Sequence, residues 1–298
     1  MMTTRIQRPQ HQRGFTLVEA VIVMVLTGIL AGIMVLFIRA PVQNYIDASA
    51  RAELSDTADL ALRRMARELR GALPNSIRVI NNGGVWWVQF IPTKAGGQYL
   101  SVEDNVPNGT PLSFTDSGAR TFNVVGPMPD GTDAITPNND FIVVYNLGNG
   151  IDNADAYGTG NRALVTGVSI PQAQVTMATN PFAVGPSGIA NSSADHRFSV
   201  VTLPVTFRCA PNASGTGTLA RIVNPTFTPA QPTPGLAPDT PLLANNVQDC
   251  DFSATQTAAL NNAMIGMSLS LARPRAGGAA NGLETVTLVH QIHVDNTP

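Results

Sequence analysis

RGFTLVEAVIVMVLTGILAGIMVLFI, residues 13–38, decides how this chain is organised. A short basic leader ends at Gly14, and Phe15 opens an apolar run of 24 residues interrupted by one charge, Glu19. At ~1.5 Å per residue such a run makes a helix of about 36 Å, enough to cross a hydrocarbon core of ~30 Å. The leader holds Arg5, Arg8 and Arg13 and no acid, which predicts a cytoplasmic N-terminus with everything after residue 38 outside. A secretory signal is cut after its apolar region, at small residues. Here the small residue Gly14 precedes the region, so a cut at that point leaves the apolar segment in the product. Glu19 is out of place in a simple anchor, because a carboxylate at membrane depth costs ~2.5–3.5 kcal/mol even on the cheaper insertion scales. It needs a partner.

The contiguous motif GFTLVE, residues 14–19, resembles the leader junction of type IV prepilins and of the pseudopilins of type II secretion. The resemblance implies cleavage between Gly14 and Phe15 by a prepilin peptidase, N-methylation of Phe15 by the same enzyme, and a part for Glu19 in assembly. There the glutamate pairs with the N-terminus of a neighbouring subunit as the helices pack. The implied partners are other major and minor pilins, the prepilin peptidase/methyltransferase and an inner-membrane assembly platform. The implied location is the inner membrane, crossed once, with a periplasmic domain that later enters a filament. Three further blocks, residues 47–79, 242–253 and 285–298, are similar to the larger minor pilins of mannose-sensitive haemagglutinin (MSHA) pili. J-type pseudopilins share the same plan, so type II secretion is the alternative assignment. A tip module that binds or adheres to a surface is another.

The helical pattern continues beyond the membrane. Leu54, Ala58, Ala61, Leu62, Met65, Leu69 and Leu73 recur at steps of three and four, one stripe of an amphipathic helix. Asp59 with Arg63 and Arg64 with Glu68 stand four apart, where opposite charges meet. Pro41 is expected to kink the helix, and Pro74-Asn75 to end it. After residue 74 short β-rich runs take over, separated by Gly, Pro and Asn. They begin at Ser76, Val85, Asp140, Ala163, Phe198, Ile265 and Glu284. Asn81-Asn82-Gly83-Gly84 has the form of a hairpin turn. VTLVHQIHV puts Val286, Leu288, His290 and Ile292 on one face, and Thr287, Val289, Gln291 and His293 on the other. Residues 101–139 and 171–197 read as loop-rich insertions, and 223–241, with six prolines, as a loop. The expected fold is α+β and pilin-like: leader 1–14, transmembrane helix 15–38, amphipathic continuation 39–73, and a β-rich periplasmic globular domain 74–298.

Composition narrows the function. The leader holds three of the 18 basic residues and none of the 20 acidic ones, and Lys94 is the sole lysine. The remainder is therefore net acidic, with no basic face to suggest a nucleic-acid partner. Cys209 and Cys250 fall outside the membrane, where an oxidising compartment favours a disulfide worth about 3–4 kcal/mol in the simple loop-entropy picture. Free thiols or a metal pair are the alternatives. Asp152, Asn153 and Asp155 are hard oxygen donors, a weak calcium candidate that lacks the twelve-residue EF-hand pattern; an ordinary Asx-turn loop competes. ALVTGVS, residues 163–169, imitates the first strand of a dinucleotide fold, but Ile170-Pro171 follows in place of a glycine-rich helix start. No nucleophile stands beside a base. The chain is expected to be no enzyme, to carry no cofactor and to hold no catalytic residue.

Overall fold

The computed structural model describes residues 14–184, 192–256, 262–275 and 282–297. Residues 1–13 of the basic leader, including Arg5, Arg8 and Arg13, lie outside the described residues.

One helix, α1 (Leu17–Arg70), runs for 54 residues. Its first half is apolar on all sides, and every described side chain from 14 to 46 is exposed, the arrangement of a segment solvated by lipid. From Ala50 onward the stripe is buried: Leu54, Ala58, Ala61, Leu62, Met65 and Leu69 are each at most 3% exposed. Pro41 lies inside the helix, which continues past it although one backbone donor is missing. The helix ends at Arg70, four residues before Pro74. Gly71 caps it with its N–H directed at the carbonyls of Arg67, Glu68 and Leu69, and Leu73 then bonds through its N–H to Ile91. Asp59–Arg63 and Arg64–Glu68 pair at 2.7 and 3.1 Å, as the four-residue spacing requires.

Against the buried stripe lies a seven-stranded antiparallel sheet. Its strands are β1 (Arg78–Asn82), β2 (Val85–Phe90), β9 (Val205–Ala210), β10 (Gly217–Val223), β11 (Leu242–Gln256), β12 (Asn262–Pro274) and β13 (Leu283–Asp295), in that spatial order. β1 and β2 join through Gly83-Gly84, both at positive φ, the two-residue hairpin that Asn81-Asn82-Gly83-Gly84 announces. The helix packs on β11, β12 and β13, closest to β13. Two polar ties pin it there. Arg51 meets the buried Glu284, which also takes Arg275, and the Asn75 backbone donates to the Asn296 side chain. Gly217 in β10 has no room for a side chain: a Cβ would stand 2.3 Å from the Val247 carbonyl and 2.5 Å from that of Ala210.

Between β2 and β9 in the chain, a second sheet closes on itself. It consists of β3 (Thr93–Tyr99), β4 (Thr121–Val125), β5 (Phe141–Val143), β6 (Arg162–Ser169), β7 (Gln174–Met177) and β8 (Arg197–Val201), in barrel order β3-β4-β7-β6-β5-β8. Phe122, Ile142, Val165, Val175 and Val200 fill its interior. The stretches read as loop-rich insertions therefore contain β4 and β7, short strands whose pairing comes from barrel closure. The single run FSVVTLPVTFRC is two strands in two sheets, divided at Pro204. The proline-rich segment 224–241 is a loop, laid over β1 and β2 by bonds from Arg78 to Thr228 and Pro229 and from the Trp87 indole to Pro234. The barrel meets the helix end through Leu73, Ile91, Val143, Tyr157 and Val201.

Candidate processing and assembly site

Gly14 and Phe15 precede the helix and are exposed, Phe15 at 80%. A Cβ built on Gly14 meets nothing within 4 Å, so folding does not require glycine here. Thr16 takes extended backbone (φ −77°, ψ 148°) and caps α1, its hydroxyl oxygen accepting the Glu19 N–H at 3.2 Å. Thr16 and Glu19 are thus the first and last positions of a T-x-x-E capping pattern. Thr16 is the residue that reading for charge alone passes over, and the T-x-x-E spacing is the signal that finds it.

Glu19 sits in the first helical turn, where the unpaired N–H groups give the helix end a partial positive charge. A cut at Gly14–Phe15 would create an ammonium two residues before Leu17, against that same positive end. Glu19 is the one acid in the first turn able to offset both. Its side chain is exposed, and among the described residues no cation pairs with it. In hydrocarbon, such a carboxylate lowers its cost by pairing with an ammonium on another helix.

The other sequence-predicted residues lie far along the chain in the globular domain. Cys209 and Cys250 form a disulfide between β9 and β11, the strands flanking β10, and both are buried. Asp155 is buried, and its two carboxylate oxygens accept the backbone N–H groups of Gly150 and Tyr157. It also faces two arginines in a low-dielectric pocket. Burial lowers Arg78 and brings Arg162 down to about 10, with Asp155 opposing each shift. Burial likewise raises the Tyr157 phenol, while Arg78, 3.5 Å over its ring, pulls the other way. Asp155 is already engaged as counter-ion and loop lock. Asn153 stands at φ 59° in the same loop. Among the described residues no cluster of three or more His, Cys, Asp or Glu forms. His290 faces inward and is half-buried, while His293 is exposed on the opposite face of β13. β6, which imitates a dinucleotide strand, turns back through residues 170–173 into β7 rather than into a helix.

The comparisons fall on the segment just described. The family described as "Prokaryotic N-terminal methylation motif" matches residues 9–35. No curated protein and no solved structure matches the chain. The matched span takes in the proposed cut, Phe15, the Thr16 cap, Glu19 and the first half of the membrane-length helix, and a β-rich domain follows that helix. The chain thus carries a prokaryotic N-terminal methylation motif over residues 9–35, and its plan of a long apolar helix followed by a β-rich domain is pilin-like.

Proposed function

We propose that this chain is a minor pilin of an MSHA-type type IV pilus, cut by prepilin peptidase after Gly14, methylated on Phe15 and built into a filament near its tip, where it aids assembly. The observation that carries this reading is the methylation motif over residues 9–35 coupled to a helix whose described side chains are all exposed through residue 46. That surface is matched to lipid first and to other helices afterwards. The Phe15 ammonium and Glu19 then supply complementary charges between neighbouring subunits, strengthened by the low dielectric. The globular domain is read as periplasmic, in keeping with its disulfide, and as structural rather than catalytic.

N-terminal sequencing and intact-mass measurement of the membrane-extracted protein test this. The expected product begins at Phe15 and carries one extra methyl group. A product beginning at Met1, in cells whose prepilin peptidase is active, would overturn the reading.

A further inference from the structure

The two ends of the seven-stranded sheet are finished differently. β1, five residues long, lies under the proline-rich loop. β13 is 13 residues long, and among the described residues it pairs with β12 alone, in unbroken register from Leu283 to Asp295. Exposed sheet edges are usually guarded by lysine, proline, a bulge or a cover. From Thr285 to Val294 this edge has no bulge, no proline, no lysine and no charged residue apart from two histidines.

The direction of its free groups follows from the ladder. The Arg275 N–H donates to the Gly282 carbonyl, and these two stand opposite in the register that continues along β12 and β13. In an antiparallel pair, hydrogen-bonded and non-hydrogen-bonded pairs alternate, so even-numbered residues of β13 bond to β12 and odd-numbered ones point away. Ser270 and Thr287 agree: their hydroxyls meet at 2.7 Å, as suits the closer side chains of a non-hydrogen-bonded pair. Thr285, Thr287, Val289, Gln291 and His293 therefore direct their N–H and C=O groups to the open side. On the inner face Val286, Leu288 and His290 remain half-buried, although Ile292 and Val294 beyond them are fully covered.

We propose that this edge, residues 285–293, receives an extended strand from a neighbouring filament subunit. The strand would be uncharged, with apolar side chains alternating onto the half-covered inner face. This rests on the filament-subunit reading above. β13 runs alongside α1, pinned near Arg51 at one end and Asn75 at the other, so helices packed side by side bring the next domain to this edge. A single added strand buries less than the ~1,200 Å² of a stable free complex. Helix packing supplies the high local concentration that makes such a contact sufficient, which favours a filament neighbour over a free soluble protein.

Proline at an outward-pointing position removes an edge donor without taking a bond from β12. In the full chain, expressed where it is processed, Val289→Pro should reduce the amount in sheared filaments at least tenfold relative to wild type, while Val289→Thr stays near wild type. The double variant Val289→Lys with Gln291→Lys keeps every backbone donor but charges the edge, and should also be depleted. Hydrogen exchange gives a parity signature: odd-numbered amides from 285 to 293 should gain protection on assembly, and even-numbered ones should be protected throughout. Wild-type incorporation of both the proline and the lysine variants, or no parity change, overturns the edge proposal alone. Should the proline variant fail to fold, the lysine pair decides. Wild-type protein missing from filaments overturns the filament reading, and the edge proposal with it.

Discussion

On the proposed reading Glu19 has two separable roles, and one substitution divides them. As the acid at the third helical position it suits the T-x-x-E cap, a task glutamine also performs. As a carboxylate it can neutralise an ammonium, which glutamine cannot. Glu19→Ala and Glu19→Val should insert into the membrane as well as wild type or better, since each removes a charge costing ~2.5–3.5 kcal/mol at depth. All three variants, Glu19→Gln included, should be depleted from sheared filaments while remaining in the membrane fraction. Normal incorporation of Glu19→Gln would assign the residue to capping and remove the charge pairing. Thr16 accepts the Glu19 N–H through its hydroxyl; the reciprocal capping bond, from the Thr16 N–H to the side chain at 19, is one that glutamine can also accept.

Elements with one solvated face announce themselves in the pattern, and those closed by distant partners do not. The stripe from Leu54 to Leu69, the Gly83-Gly84 hairpin and the alternation in β13 were all readable because neighbours in sequence decide them. β3 was not: TKAGGQY holds two glycines and a lysine and lacks alternation, and it becomes a strand because β8 and β4 flank it. β4 and β7 are five and four residues long, too short for periodicity to register. β11 loses its alternation to a register shift between Val247 and Asp249 and to Asn246 in left-handed backbone. At the N-terminus Gly14, Phe15 and Glu19 stood out, because there the chemistry sits in contiguous sequence; Thr16 was hidden by its ordinary polarity. The disulfide spans β9 and β11 across β10, at a sequence separation of 41. Replacing both cysteines by serine should lower the unfolding temperature of the detergent-extracted protein, with a loss of about 2–4 kcal/mol. Membrane insertion and processing, set by residues 1–38, should not change. An unaltered unfolding transition would show that the strand ladder alone holds β9, β10 and β11 together.

The two-lobed domain gives the molecule a polarity along its helix. The seven-stranded sheet packs along the outer half of α1, and the barrel is inserted between β2 and β9 beside the helix's last residues, with Thr93 bonded to Gly71 and Leu73 to Ile91. The barrel therefore lies at the end of α1 opposite the lipid-exposed segment. On the filament-subunit reading proposed above, a lobe of six strands at that end would obstruct subunits stacked beyond it in a shaft. On the same reading a tip position would leave room for the barrel. The expected result is few copies per filament, confined to one end. Deletion of the protein should lower the number of filaments more than their length, if it helps start them. Removing the barrel alone, residues 93–201, with a short linker joining β2 to β9 should relax the restriction and let label spread into the shaft, provided the seven-stranded sheet still folds by its disulfide and its helix contacts. Immunogold counting checks both: even labelling of wild-type fibres would refute tip placement, and tip-only labelling of a folded barrel deletion would mean that something other than bulk sets the position.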